Sequence, residues 1–284
     1  MSPDASHSRP WKGLPTRGKT ARNRLRRVDL LAALYDPALL RREDGDFAGA
    51  PFVDLGYGAE PFTTLETAER LRRVNPGLRV VGVEIDRERV AAAEPHADGL
   101  TTFRHGGFRM PLRPGADGPA GAARMVRAFN VFRQYPEEAL PRALGEIALG
   151  MLPGGLLIEG TSDPFGRVFT ANLFRRTADK SAAQPFTHEA LVLGMRLAGG
   201  FDPAQVQAVL PKNYIHHVVP GEPIHAVFAA WKEAAAETRA HAAFGPRQWF
   251  RAAAAALPGK GVPLSPRPLF LRHNLLVITP PPSR

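Results

Sequence analysis

The sequence of 284 residues contains no cysteine. This absence excludes a cysteine nucleophile, a thiolate zinc site and an iron–sulfur cluster, because each of them needs a thiolate. No apolar run approaches the ~20 residues that a membrane-spanning helix requires. The first ten residues also lack the apolar centre of a signal peptide. We therefore expect a cytoplasmic protein without a membrane partner.

Two nucleotide-binding motifs are missing as well. No G-x-x-x-x-G-K-[ST] sequence occurs, so a P-loop site is unsupported. The dinucleotide fingerprint G-x-G-x-x-G begins with Gly56 and Gly58, but Pro61 stands where the third glycine belongs. Proline at that place disfavours the close helix–strand packing that glycine permits. These departures disfavour a dinucleotide as the ligand.

Histidines are present, but their spacing does not predict a metal site. His216, His217 and His225 have no acid or further histidine at a spacing typical of metal ligands. We expect structural or surface roles for them and no bound metal. The C-terminal tryptophans, Trp231 and Trp249, lie in segments with helical periodicity, which favours core packing over base stacking.

Acidic residues are scarce near the N-terminus. Residues 1–42 contain ten Lys or Arg and three Asp, so they carry +7 of the formal net charge of +10. Residues 1–20 are rich in proline and glycine and lack periodicity, which predicts a flexible basic arm before a single domain over 21–284. Such an arm can bind phosphates, although an arginine-rich surface kept for solubility explains the same charge. The candidate nucleic-acid contacts are Arg17, Lys19, Arg22, Arg24 and Arg26.

Apolar strands alternate with amphipathic helices in the first half, which predicts a parallel α/β sheet. The predicted strands cover 52–55, 80–84, 100–105, 123–129 and 156–159. The predicted helices cover 21–34, 37–42, a segment that starts at a Thr63–Glu66 capping box, 86–93 and 137–151.

The second half has a different pattern, which predicts an antiparallel strand pair followed by helices. The strand pair covers 168–175 and 191–197, although the second segment also fits a helix. Helices are predicted over 203–210, 224–240 and 248–257. Residues 269–271 and 275–278 suit a terminal strand or hairpin.

A glycine-rich turn follows the first strand. Asp54 stands near the strand end, Gly56, Tyr57 and Gly58 form the turn, and Glu84 ends the next strand. Ligands of open parallel sheets bind beyond the carboxyl ends of the strands. A carboxylate at Asp54 disfavours a nearby pyrophosphate and favours a cofactor with a cationic end. The pattern therefore predicts a site for a nucleoside-bearing cofactor.

The run Asp54-Leu55-Gly56-Tyr57-Gly58, with Glu84 after it, resembles the first two motifs of class I S-adenosylmethionine-dependent methyltransferases. The resemblance covers about residues 50–160. It implies a Rossmann-like, doubly wound and mostly parallel seven-stranded sheet, six strands parallel and one antiparallel, with helices on both faces. Residues 161–284 then form a helical C-terminal elaboration that includes a substrate lid. The implied cofactor is S-adenosylmethionine.

The resemblance also implies roles for individual residues. Asp54 helps to hold the methionine end, the glycines of the turn let the backbone approach, and Glu84 accepts hydrogen bonds from the ribose hydroxyls. Phe108 covers the adenine ring, unless it is simply a core aromatic residue. The full set of expected cofactor contacts is Asp54, Gly56, Tyr57, Gly58, Glu84, Ile85, Gly107, Phe108 and Asn130.

The methyl acceptor is expected near the ends of the fourth and fifth strands. The sequence Asn-Pro-Pro-Tyr, which marks amino-nitrogen methylation in related enzymes, is absent, because Val131 and Phe132 follow Asn130. Asn130, Glu159 and Asp163 are the candidate catalytic residues, although a helix cap also explains Asn130. A small metabolite is the favoured acceptor and RNA the alternative. A non-catalytic S-adenosylmethionine-binding protein is the third possibility.

Overall fold

The computed structural model describes residue 14, residues 21–178 and residues 184–283. The predicted basic arm therefore lies outside the described residues except for Leu14, and Arg17 and Lys19 lie outside them as well. One sheet runs through both halves of the chain. Its strands are β1 (Phe52–Leu55), β2 (Val80–Glu84), β3 (Thr101–His105), β4 (Ala123–Phe129), β5 (Met151–Ser162), β6 (Val168–Arg176), β7 (Phe186–Met195) and β8 (Leu275–Ile278).

The strand order is β3-β2-β1-β4-β5-β6-β7-β8. The pairs from β3 to β5 are parallel, and those from β5 to β8 are antiparallel. Six strands consequently run in one direction, and β6 and β8 run in the other. The Rossmann-like α/β fold is confirmed. Within the described residues the sheet has eight strands, where the resemblance implies seven, because β8 adds a second antiparallel strand at the edge.

Helices cover both faces of this sheet. They are α1 (Arg26–Tyr35), α2 (Pro37–Arg41), α3 (Phe62–Leu71), α4 (Arg87–Ala93), α5 (Leu140–Leu149), α6 (Ala204–Gln207), α7 (Lys212–Ile215), α8 (Pro223–Glu237), α9 (Pro246–Ala256) and α10 (Pro268–Arg272). Side chains of a strand alternate between faces. Phe52 accordingly packs in the cluster that includes Leu31 of α1, and Val53 packs with Ile147 of α5. The predicted doubly wound arrangement follows from this alternation.

Several element boundaries differ from the sequence predictions. The capping box is wrong: α3 begins at Phe62, and the Thr63 hydroxyl donates to Asp54 instead of capping the helix. The helix predicted over 137–151 is α5, preceded by a short 3-10 turn. Strand β5 starts at Met151, before the predicted start at residue 156, and Pro153-Gly154-Gly155 lies within the strand. The register of its pairing with β4 shifts beside this segment.

The second half resolves the ambiguous segment. Residues 191–195 belong to β7, which pairs with β6 on one side and with β8 on the other, so the strand interpretation is confirmed. The segment 269–271 is part of α10, which begins with a proline at its first position, where the missing N–H costs nothing. Trp231 of α8 is buried in a hydrophobic cluster, as predicted. In the part of the chain that the structure describes, no helix is long and apolar enough to cross a membrane.

Candidate functional site

The turn after β1 has a backbone that requires glycine. Gly56 and Gly58 have φ values of +74° and +90°, in the left-handed region that side chains disfavour. The Gly56 N–H donates to the carbonyl of Val83 at 2.7 Å. The Gly58 N–H donates to Oε2 of Glu84 at 3.0 Å. The turn is therefore tied to the end of β2.

Glu84 is 1% exposed and holds this turn with both carboxylate oxygens. Its Oε1 accepts from the N–H groups of Ile85 at 2.9 Å and Asp86 at 3.3 Å. Arg89 lies 4.0 Å from Oε2. These contacts fix the orientation of the carboxylate at the strand end.

A small pocket lies at the carboxyl ends of β1, β2 and β3, and we call it the strand-end pocket. Its volume is about 30 Å³. It is lined by Leu14, Leu55, Gly56, Val83, Glu84, Ile85, Gly106, Gly107, Phe108, Val131 and Tyr135. The backbone N–H of Leu14 donates to the Tyr135 hydroxyl at 2.6 Å. Part of the N-terminal segment thus belongs to the wall of the pocket.

Gly107 and Phe108 contribute to this wall in different ways. A Cβ at Gly107 would lie 3.8 Å from the Ile85 side chain, so the backbone there is open. The Phe108 ring stacks on Phe132 with a centroid distance of 5.2 Å and packs at the same distance against Tyr135. Phe108 is therefore both a pocket residue and part of an aromatic cluster.

Tyr57 and Asp54 lie beside the pocket and do not line it. The Tyr57 ring packs edge-on against Phe103 at 5.5 Å, and its hydroxyl donates to the carbonyl of Arg89. Burial raises the pKa of Tyr57 above its usual value. Asp54 accepts hydrogen bonds from the hydroxyls of Thr63 and Thr64, each at 2.9 Å.

Asp54 also belongs to a buried network that sequence reasoning missed. Arg127 of β4 donates to Asp54 from Nε at 3.1 Å and contacts Asp29 of α1 with its Nη1. The Thr67 hydroxyl bridges Arg127 and Asp29, because it accepts a hydrogen bond from Arg127 and donates one to Asp29. All of these groups are buried. An arginine in the middle of an apolar strand is the sequence signal that could have revealed the network, because a buried charge needs a partner.

Asn130 joins the ends of β4 and β5. Its Oδ1 accepts from the Ser162 N–H at 3.0 Å, and its Nδ2 lies 3.4 Å from the Ser162 hydroxyl. The backbone of Asn130 has a φ of +60°, which asparagine tolerates better than most residues. Val131, and not Asn130, is the cap of the following 3-10 turn. The helix-cap interpretation is therefore wrong.

Asp163 organises the turn between β5 and β6. Its Oδ1 accepts from the backbone N–H of Arg167 at 2.6 Å, and its Oδ2 accepts from the Arg167 guanidinium at 3.0 Å. Arg24 reaches the same turn, donating to the Ser162 hydroxyl and to the Asp163 carbonyl, both at 3.1 Å.

Glu159 lies away from the strand-end pocket, in a second cavity of about 240 Å³ that we call the side cavity. It is 3% exposed, and Nδ2 of Asn172 donates to its Oε2 at 2.8 Å. Burial raises the pKa of Glu159 to about 7. Sequence reasoning missed Asn172. The β5–β6 pairing places it directly opposite Glu159, a neighbour that the predicted pairing of 168–175 with 191–197 does not indicate.

Among the basic residues of the alternative nucleic-acid site, Arg22 and Arg24 contact other residues of the chain, although Arg22 is exposed. The Arg22 guanidinium lies over the Phe62 ring at 4.2 Å, and Arg24 is bound to the β5–β6 turn. Arg26 is exposed. Within residues 14, 21–178 and 184–283, no group of three acids or histidines could hold a metal ion.

Comparisons with known proteins give only distant matches. No family model matches the chain, and no curated protein matches it. One similar solved structure is described as a pericyclic reaction enzyme, with 17% identity over 43% of this chain and 28% of that one, and a TM-score of 0.32. A Haloferax volcanii complex that contains the Trm112 methyltransferase activator matches with 22% identity over 48% of this chain and 56% of that one, and a TM-score of 0.31.

A third match is magnesium protoporphyrin IX methyltransferase from Synechocystis PCC 6803 with bound S-adenosylmethionine. It has 17% identity over 51% of this chain and 66% of that one, with a TM-score of 0.35. The chain thus spans between about a quarter and two-thirds of the lengths of the structures it matches. At this level of similarity the matches assign neither an activity nor a substrate.

Proposed function

We propose that this chain is a class I S-adenosylmethionine-dependent methyltransferase that acts on a small molecule. The observation that carries the proposal is the joint placement of the glycine turn and Glu84. Gly56 and Gly58 adopt positive φ values, and the Gly58 N–H donates to Glu84. Gly56 and Glu84 line one pocket, at the carboxyl ends of parallel strands where ligands of such sheets bind.

The residues of the strand-end pocket fit the nucleoside part of S-adenosylmethionine. Glu84 lies at the strand end where we propose that the ribose binds, and carboxylate oxygens are acceptors suited to ribose hydroxyls. Ile85 and Phe108 offer apolar contact to a base, and Gly107 leaves room beside Ile85. The pocket measures about 30 Å³ with Leu14 in its wall. Entry of the cofactor therefore requires Leu14 to move outward.

The cofactor supplies a methyl group on a sulfonium, and its transfer is an in-line displacement that depends mainly on proximity and orientation. The chain's own residues act by positioning. Glu84 orients the nucleoside, and Asp54 supports the turn through Thr63 and Thr64 of α3. Asn130 holds the end of β4 against Ser162 of β5, where we propose that the acceptor approaches. Asp163 acts only through the β5–β6 turn that it stabilises.

Calorimetry with S-adenosylhomocysteine tests the cofactor. The wild-type chain should bind, and Glu84→Gln should bind at least about tenfold more weakly, because it loses a charge-assisted acceptor worth about 1.4 kcal/mol or more. Glu88→Gln is the matched control, since Glu88 is exposed on α4 near the same strand end. A wild-type chain that does not bind, or a Glu84→Gln variant that binds as tightly, refutes the proposal.

A small-molecule acceptor is favoured over RNA by the contacts of the basic residues. Arg22, Arg24 and Arg27 of the described N-terminal part contact Phe62, Ser162 and the carbonyl of His273. They are thereby partly withdrawn from phosphate binding. Retention on heparin measures the phosphate-binding capacity that the chain keeps. Replacing Arg17 and Lys19 with glutamine should leave retention nearly unchanged, whereas a large, salt-sensitive loss would support the RNA alternative.

A further inference from the structure

The side cavity lies on the α5 face of the sheet and shares no lining residue with the strand-end pocket. Its volume of about 240 Å³ exceeds the ~150 Å³ of an engineered cavity that binds benzene. Phe132 separates the two spaces, because its ring lines this cavity and also stacks on Phe108 of the pocket. The lining residues are Phe132, Glu137, Leu140, Pro141, Leu144, Glu159, Asn172, Phe174 and Asn213.

When Glu159 is ionised, two buried acceptor atoms of this lining receive no hydrogen bond from the described residues. They are Oε1 of Glu159 and Oδ1 of Asn172, and no described residue donates to either. Glu159 is 3% exposed and Asn172 is 1% exposed. The Asn172 amide nitrogen is already engaged, since it donates to Glu159 Oε2 at 2.8 Å and to Asn213 Oδ1 at 2.9 Å. Unsatisfied buried acceptors are costly, so this pair calls for a ligand that donates hydrogen bonds.

The charge of the lining points the same way. Glu137 and Glu159 are its two ionisable residues, and none of its members is Lys or Arg. The His217 ring lies beside this lining, with its Nε2 3.0 Å from Glu137 Oε2 and its Nδ1 3.6 Å from Glu222 Oε1. In a chain with a net charge of +10, an apolar cavity with two carboxyl groups selects against anions and favours cations.

We propose that the side cavity binds an amine with an apolar body, whose nitrogen donates hydrogen bonds to Glu159 Oε1 and Asn172 Oδ1. The body lies among Phe132, Leu144 and Phe174. An ammonium group supplies three donors and no acceptor, so two of its N–H groups satisfy the two acceptors that lack donors. The proposal concerns binding and does not depend on methyl transfer.

Binding should respond to pH in a defined direction. Burial raises the pKa of Glu159 to about 7, and a bound cation favours the ionised form of this carboxyl group. Other titratable groups also face this region. They are Glu137, which His217 contacts, and His188 of β7, which packs beside Phe174. Burial lowers the pKa of His188 to about 4. Affinity for an amine should consequently rise between about pH 6 and pH 8.

Calorimetry of the full chain without cofactor tests the proposal, with phenethylamine as the probe and 2-phenylethanol and 3-phenylpropionate as neutral and anionic counterparts. Phenethylamine should bind more tightly than either counterpart. Glu159→Gln should weaken its binding at least about tenfold. Glu138→Gln should leave it unchanged, because Glu138 is exposed beside the cavity and does not line it. Leu144→Trp keeps the carboxyl group but fills the cavity, and it should also abolish binding.

No binding of phenethylamine, equal binding of 2-phenylethanol, or unchanged binding by Glu159→Gln would each overturn the proposal. The S-adenosylhomocysteine titration is independent of these outcomes. If the chain binds phenethylamine through Glu159 but does not bind S-adenosylhomocysteine, the amine site is supported and the proposed methyltransferase function is refuted. The converse result retains the cofactor site alone.

Discussion

Arg127 forms a buried ion pair with Asp54, with Nη2 of the arginine 2.8 Å from Oδ2 of the carboxylate. The same guanidinium contacts Asp29 of α1, so the N-terminal helix and the end of β1 are joined through one side chain of β4. Both carboxylates are shielded from water, at 2% exposure each. The orientation of the turn at Gly56 and Gly58 thus depends on a charge network beneath it.

Replacing Arg127 with methionine should destabilise the fold strongly. The change leaves the buried Asp54 carboxylate without its cation, whereas Asp29 keeps Arg70 at 2.7 Å. Breaking a buried ion pair by removing one partner typically costs about 3–5 kcal/mol. Urea denaturation followed by circular dichroism measures the free energy of unfolding. Arg73→Ala is the control, since its ion pair with Glu69 is about 70% exposed on both sides and such pairs contribute about 0–1 kcal/mol. Similar losses from both variants would contradict the proposed importance of the network.

Glu159→Gln should remove a pH dependence of stability. The pKa of Glu159 is raised from 4.5 to about 7 by burial, so the folded chain keeps the proton to a higher pH than the unfolded chain does. The free energy of unfolding therefore falls as pH rises from about 4.5 to about 7, by roughly 3 kcal/mol from this group. The variant should lack this fall and be more stable than the wild type at pH 8.

His188 makes an opposing contribution to the pH dependence of stability, and it cancels when the wild type is compared with Glu159→Gln. Its pKa is lowered from 6.5 to about 4 by burial, so it contributes stability above pH 6.5 that is lost as pH falls towards 4. Denaturation at a series of pH values measures both curves. Glu138→Gln, at an exposed position, should follow the wild type. Parallel curves for the wild type and Glu159→Gln would show that Glu159 titrates normally.

Gly58→Ala should weaken both the fold and the proposed cofactor site. The φ of +90° at Gly58 is strained for alanine, and left-handed backbone costs about 1–2 kcal/mol per residue. Thermal denaturation and S-adenosylhomocysteine calorimetry measure the two effects. Gly145→Ala is the matched control, because Gly145 lies inside α5 with open space around it and should gain about 0.5–1 kcal/mol. Unchanged stability and affinity of Gly58→Ala would contradict the role assigned to the turn.

Leu14→Ala should bind S-adenosylhomocysteine more tightly than the wild type. Leu14 lines the strand-end pocket and donates its N–H to Tyr135, so the cofactor must displace a side chain that is 42% exposed and whose partial burial contributes about 1 kcal/mol. A gain in affinity of about threefold to tenfold is expected, and calorimetry measures it. Leu149→Ala, an exposed position on α5, should change nothing. Weaker binding by Leu14→Ala would mean that Leu14 supports the ligand instead of obstructing it.

Local signals in the sequence were sufficient for the frame of the molecule. The apolar run of β2 and the periodicity of α8 depend on neighbouring residues, and both elements lie close to where the sequence predicts them. Element ends were less reliable. Thr63 satisfies the capping-box pattern, but Asp54 competes for its hydroxyl, and a contact between segments cannot be read from spacing.

The sequence by itself determined that Gly56, Gly58 and Glu84 meet at one edge of the sheet, because the ends of adjacent parallel strands must come together. Only the tertiary structure decided the surroundings of the other candidates. It placed Glu159 opposite Asn172 in a cavity apart from the strand-end pocket and buried Asp54 against Arg127. These outcomes depend on strand register and on packing between distant segments, which fix burial and charge partners that a linear pattern does not contain.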